Sequence, residues 1–317
     1  MHIKFLPALV SLVLAALALT SCSGAGDSSA DESASVTVLT TTNVYADLVR
    51  QVAKDAVEVK AIINSSSQDP HSYEASSADR LAVKDADLVV LNGGGYDQFL
   101  EDMAGVDRQD QAVLNVVKIS GKVTEEEYEQ LTQAHTEQEH QDHDHADFNE
   151  HLWYDLPSMK KLVASLADQL SQLLPQEEEN FRQAAEDLNK KLTDLEEQCS
   201  QIAAQGKSYL ATEPVPAYLL DAAGFQDQTP ADLTSAVESG SDIAPLTLQE
   251  AKDALKDGSV SLLAYNEQTA TAQTQQILAA AQEAKTAHVS FTETLPEGQT
   301  YLGWMEENIS NIKKAVA

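Results

Sequence analysis

The sequence predicts an α/β protein of two lobes, each built on a mostly parallel sheet, joined by one long rigid backbone helix. Three observations carry this expectation. Short β-branched runs alternate with amphipathic segments from Val36 to Ile119, as βα units do. The same alternation resumes after Gln205-Gly206. Between them, from Pro157 to Ala204, the pattern is almost wholly helical.

The chain opens on a segment outside the fold. His2 and Lys4 give a short positive start, and Phe5 to Leu19 is apolar. An apolar run of about 15 residues suits a signal peptide and is short for a membrane span. It ends in Leu19-Thr20-Ser21-Cys22, which resembles the lipobox of bacterial lipoproteins, with Cys22 as the lipidated residue. The small, acidic stretch Ser23 to Ser33 reads as a flexible tether. Acyl chains on Cys22 would anchor the body outside the cytoplasmic membrane, through the lipid bilayer.

Val36–Leu39 (VTVL) reads as a strand, and Val44–Ala53 as an amphipathic helix. Val57–Ile63 alternates like a strand, Ser77–Lys84 reads as a short helix, and Ala86–Leu91 as a buried strand. Gly93-Gly94-Gly95 lacks the Lys-Ser/Thr of a phosphate loop and reads as a tight strand-to-helix turn. A helix from Tyr96 to Met103 and a strand from Val113 to Ile119 follow. In the helical centre, Leu162, Leu166, Leu170 and Leu173 recur at helical spacing until Pro175 breaks the run. Glu177–Ala203 then holds no glycine or proline, with Leu188, Leu192, Leu195 and Ile202 as its apolar stripe. About 27 helical residues span roughly 40 Å. In the last third, Ser208–Thr212, Val260–Tyr265 and His288–Phe291 read as strands. Pro216–Ala223, Leu246–Leu255, Ala270–Ala284 and Tyr301–Ala317 read as helices. No internal sequence repeat is evident. The division is therefore signal peptide 1–22, tether 23–34, N-terminal lobe 35–175, linking helix 176–204 and C-terminal lobe 205–317.

Composition narrows the partners. Fifty-one Asp and Glu face 20 Lys and Arg, for a net charge of −31. That argues against nucleic acid, which needs clustered cations, and fits attraction of cations through the summed field. There are two cysteines. With Cys22 lipidated, Cys199 has no partner and reads as a small packed residue on a helix.

Five of the eight histidines lie in AHTEQEHQDHDHADFNEHLW: His135, His140, His143, His145 and His151. Imidazole is the commonest metal ligand, and a tract so rich in imidazole and carboxylate reads as metal-binding. The alternative is a solvated acidic loop. Loop 134–146, with His135, His140, His143 and His145, would be a mobile collector of ions. His151, where ordinary ordered sequence resumes, would be a fixed ligand. Two further positions sit at strand ends, where ligands bind in open α/β sheets. His71, in Asp69-Pro70-His71, is restrained by its proline, or is a surface loop histidine. Glu213, in Thr212-Glu213-Pro214, is a ligand or a carboxylate satisfying a helix N-terminus.

The order of signal and lipobox, DPHSYEAS, acidic His-rich loop, HLWYD, long helix, strand ending in Glu213, then YNEQT resembles the solute-binding lipoproteins of bacterial zinc and manganese ABC importers, the ZnuA/TroA-like periplasmic metal-binding family. The resemblance covers essentially the whole mature chain. It implies an extracytoplasmic, lipid-anchored metal receptor, not an enzyme, that hands its ion to an ABC permease. It implies a metal site between the lobes with His71 as first ligand, and His151, two positions before Trp153, as second. The third ligand, His in typical zinc members and Glu in typical manganese members, maps to Glu213. The fourth falls in Tyr265-Asn266-Glu267-Gln268, at Glu267 or Asn266. Trp304 and Met305 map to structural positions of the last helix. Hard oxygen from Glu213 suits manganese or iron. The His-rich loop, which accompanies zinc members, and the general affinity order favour Zn²⁺ over Mn²⁺. A monomer is expected, with both lobes open to the permease. The contrasting readings are a metal-dependent hydrolase on a His₂Glu set, which lacks any H-E-x-x-H helix, and an adhesin-like lipoprotein.

Overall fold

The computed structural model describes residues 35–65, 68, 73–136 and 148–316. The N-terminal part runs β1 (Thr37–Thr42), α1 (Asn43–Ala53), β2 (Glu58–Ile63), α2 (Ser77–Asp85), β3 (Leu88–Leu91), α3 (Gln98–Glu101), β4 (Ala112–Asn115), α4 (Val116–Ser120) and α5 (Glu125–Thr136). After a 3₁₀ turn at Leu152–Tyr154 come α6 (Leu156–Leu173), a second 3₁₀ turn at Pro175–Glu177, and α7 (Glu178–Ser200). The C-terminal part runs β5 (Ser208–Ala211), α8 (Ala217–Ala223), β6 (Gln226–Asp227), α9 (Leu233–Glu238), α10 (Pro245–Asp257), β7 (Leu262–Asn266), α11 (Ala272–Ala284), β8 (Ala287–Phe291) and α12 (Tyr301–Val316). The strands form two parallel sheets, ordered β2-β1-β3-β4 and β6-β5-β7-β8. The two sheets share one winding order although the sequences show no repeat.

Side-chain alternation along the strands sorts the core. Val38, Leu88 and Val90 point to one face of the first sheet, into an apolar body that continues through α6 and α7 to Leu262 and Phe291 of the second and to Trp304 and Met305 of α12. Leu39, Val89 and Leu91 point to the other face and pack with Ile63, Val83 and Leu100. Leu210, Leu263 and Tyr265 do the same for the second sheet, against Ile277 and Ala281. Each central strand is thus covered on both faces, as parallel strands require.

The seam between the lobes belongs to that continuous core. Trp153 is wholly buried, and its carbonyl accepts the Tyr301 hydroxyl at 2.6 Å. The Tyr154 hydroxyl donates to the carbonyl of Thr292 at 2.9 Å. Asn43 and Leu295 exchange two hydrogen bonds, at 2.8 and 2.9 Å, across 252 residues of sequence. α7, 23 residues and about 35 Å long, packs on α1 at one end of the molecule and on α8 and α12 at the other. Cys199 is buried in it, its thiol pushed up to about 12 by that burial.

The structure departs from the sequence expectations in a few places. The strand expected over 113–119 stops at Asn115, whose side chain accepts the Lys118 amide and caps α4. Val116 and Val117 are then buried from a helical turn rather than a strand. The helix expected over 96–103 shrinks to Gln98–Glu101, because the carboxylate of Asp97 is taken up by the amides of Asn92 and Gly93, both at 2.7 Å. The long helix ends at Ser200, and Ala203 has a left-handed φ of 52°. α5, α9 and the short β6 were not anticipated. α5 opens on a capping box: Thr124 N donates to Glu127 at 2.7 Å, and Glu127 N donates back to the Thr124 hydroxyl at 3.3 Å.

Trp153→Ala removes the largest wholly buried side chain of the seam. It should cost about 3–5 kcal/mol, read by denaturant unfolding with chelator present. A loss below about 1 kcal/mol would show that the seam carries little of the stability.

Candidate metal site

The carboxyl ends of three neighbouring strands of the second sheet bring three polar side chains together. Glu213 lies two residues past the end of β5, Asn266 is the last residue of β7, and Glu293 lies two residues past β8. Because β7 pairs with both β5 and β8, Asn266 stands between the two glutamates. Its amide donates to Glu213 Oε2 and, at 2.9 Å, to Glu293 Oε1. The Thr269 hydroxyl also donates to Glu213 Oε2. The Gln268 side-chain carbonyl accepts the Glu293 amide, and at 3.1 Å the Thr294 amide. Glu213 is 1% and Glu293 0% exposed. Two carboxylates at that depth are costly unless hydrogen-bonded and matched by positive charge.

The positive or metal-ligating side comes from the segment before α6. His151 is 0% exposed, with Nε2 3.8 Å from Glu293 Oε2. Its ring sits edge-on to Trp153, 5.1 Å between centroids, and to Tyr96, 6.2 Å. Asn149 fixes its tautomer. The Asn149 amide nitrogen donates to the Pro214 carbonyl at 2.9 Å, and its oxygen accepts the His151 backbone amide at 3.0 Å. These two backbone groups set the amide's orientation, so the oxygen 2.7 Å from Nδ1 must receive a proton from that nitrogen. Nε2 lies on the other side of the ring, 3.8 Å from Glu293 Oε2, and is the nitrogen a metal would take. The Tyr218 hydroxyl completes the link by donating to the Asn149 carbonyl at 2.6 Å.

The first sheet supports this from below. Asn92, at the end of β3, donates to the Glu150 carbonyl at 3.0 Å and accepts the Tyr45 hydroxyl. Asp97 is wholly buried and holds the turn after β3 through Asn92, Gly93 and the Thr41 hydroxyl. Burial raises its carboxyl above the usual range against those hydrogen bonds. The turn needs its glycines: Gly93 has φ 80°, and a Cβ there would stand 2.5 Å from Asn115.

Of the residues expected from sequence, His151 and Glu213 meet here. Glu267 does not join them. It follows the inward-pointing Asn266, and the alternation of a strand end turns it to the surface. Asn266 joins as a bridge between carboxylates. Glu293 was missed, although its offset from β8 equals that of Glu213 from β5. Trp304 and Met305 are buried in α12. Cys22, His71, His140, His143 and His145 lie outside the described residues, as does the side chain of His135.

Two parallel α/β sheets, with two carboxylates buried at the carboxyl ends of the second and an imidazole beside them, define a bilobal α/β protein. The family model for the periplasmic zinc-uptake complex component A, ZnuA, matches residues 38–315, and the chain belongs to that family. Among relatives, the zinc-binding lipoprotein AdcA of Streptococcus pneumoniae is 26% identical over 96% of this chain, which spans 60% of that protein's length. The high-affinity zinc uptake system protein ZnuA of Bacillus subtilis is 24% identical, over 98% of this chain and 96% of the relative. The manganese-binding lipoprotein MntA of Halalkalibacterium halodurans is 22% identical over 68% of this chain and 66% of the relative. In fold, the periplasmic zinc-binding protein TroA of Treponema pallidum superposes with a TM-score of 0.70, at 20% identity, over 89% of this chain and 99% of that one.

Asn266→Ala removes the donor shared by both glutamates. Each hydrogen bond to a charged group contributes about 1.5–3 kcal/mol, so the metal-free variant should lose at least about 2 kcal/mol in urea unfolding. A variant as stable as wild type would show that the carboxylates find other donors.

Proposed function

We propose that this chain is an extracytoplasmic receptor that captures one divalent cation and delivers it to an ABC permease, with Zn²⁺ as the favoured cargo. The ligands we propose are His71 and His151 from the first half and Glu213 and Glu293 from the second. The observation that carries this reading is the buried pair of His151 and Glu293, Nε2 3.8 Å from Oε2, with Glu213 joined to Glu293 through the Asn266 amide. Two nearly unexposed carboxylates beside an imidazole offer the oxygen and nitrogen donors that a divalent cation takes. His71 is added from its restrained D-P-H setting in the sequence. A closed set of four protein donors suits binding and release, whereas a catalytic site keeps an open position.

Zinc is favoured by the family and by relatives such as AdcA and ZnuA that bind or take up zinc. The collector role proposed for His135, His140, His143 and His145 fits the same metal. One observation favours manganese: the third donor is the hard carboxylate of Glu213, and a manganese-binding relative aligns with the chain. Among the described residues no helix is long and apolar enough to cross a membrane. Attachment through acylated Cys22 is part of the proposal. The continuous seam around Trp153 favours capture by local loop movement over wide closure.

Titrating the metal-free protein with Zn²⁺ and Mn²⁺ tests the reading. One tight zinc site is expected, weakened at least about tenfold in each of His151→Ala, Glu213→Ala and Glu293→Ala. Glu267→Ala should bind like wild type. A tight site for manganese alone would reverse the metal, and no tight site for either would remove the receptor. Because imidazole must lose its proton to bind, affinity should fall as the pH drops below about 6.5. Constant affinity down to pH ~5 would speak against histidine ligation.

A further inference from the structure

One group of metal-ligating atoms shares His151 with the pocket described above and adds two carboxylates from outside it. One ligand atom each of Glu150, His151 and Glu238 lie within 4.8 Å of one another. Glu150 precedes His151 in the chain, and Glu238 ends α9 of the C-terminal part. The group therefore spans the two halves of the molecule, as the pocket does. It differs in depth. Glu150 and Glu238 are half-buried, whereas Glu213 and Glu293 are 1% and 0% exposed.

His151 belongs to both groups, and it has only one nitrogen to give. Nδ1 is committed to Asn149, so Nε2 serves a cation in one group or the other, never in both. The two groups are alternative positions for one ion rather than two sites filled together.

A physical need fits this arrangement. A divalent cation arrives hydrated, and carrying it in one step to carboxylates without solvent contact means shedding its water all at once. Carboxylates of half-buried residues, nearer to solvent than Glu213 and Glu293, let water be exchanged for oxygen ligands in stages. We propose that Glu150 and Glu238 form an outer station for the cation, from which it passes to Glu213 and Glu293 while His151 remains its ligand throughout. The proposal rests on the receptor reading above. Glu150 and Glu238 govern the rates of capture and release, and the inner residues govern affinity. An intermediate station leaves the equilibrium between free and inner-bound ion untouched, so both rates fall together when it is removed.

The test is stopped-flow capture of Zn²⁺ by the metal-free protein, with equilibrium competition alongside. In Glu150→Gln/Glu238→Gln, capture and release should each slow at least about tenfold, a size local carboxylates can supply, while affinity stays within about threefold. The control is Glu186→Gln/Glu197→Gln, which removes two exposed charges from α7. It reports the contribution of the overall field, which added salt screens. Rates in the first variant no slower than in this control overturn the outer station. Loss of the tight site in that variant also overturns it, by making Glu150 and Glu238 resident ligands. If wild type has no tight site, or Glu213→Ala and Glu293→Ala leave it intact, the receptor reading itself fails, a result separate from either of these.

Discussion

Two glutamates share one amide at the end of the second sheet, and most of the molecule can be understood as the means of keeping them there. Glu213 and Glu293 are buried close together, and like charges in a medium of low polarity repel strongly. Asn266 lowers that cost by donating to both, with Thr269 adding a hydrogen bond to Glu213. The His151 ring stands against the same pair, with Nε2 3.8 Å from Glu293 Oε2.

The parallel sheet makes the arrangement possible. β5, β7 and β8 run side by side in one direction, so their carboxyl ends open on one crevice, the usual place for ligands in such sheets. The other half contributes through rigid elements. His151 is seated by Trp153 and Tyr96 and oriented by Asn149, whose amide reaches the Pro214 carbonyl next to Glu213. The same short segment thus sets the imidazole tautomer and ties it to the opposite strand end. The apolar seam behind it, through Trp153, Tyr154 and Tyr301, holds both sheets in one body.

Most elements were legible because they follow simple periodicities. Leu162, Leu166 and Leu170 repeat at helical spacing and are all buried in α6, and the four buried residues Leu88 to Leu91 form β3. Failures came where a polar side chain overrode the pattern. Asn115 capped a helix inside a β-branched run, and Asp97 spent its carboxylate on the turn before α3. α5 had a readable signal in Thr124-x-x-Glu127, the capping box it forms, but it lacks a strong apolar stripe and was passed over.

The candidate site divides along similar lines. Sequence alone marked His151 and Glu213, because each stands at the edge of an element in a pattern that needs no knowledge of distant neighbours. It also determined the acidic balance, the α/β class and the long helical centre, all of which are local or compositional. The burial of Glu293 and exposure of Glu267, the role of Asn266 as a bridge, and the proximity of Glu150 to Glu238 were decided by tertiary structure alone. Adjacent residues at a strand end face opposite ways, and strands remote in sequence become neighbours only through sheet order. Neither fact is written in the spacing of residues along the chain.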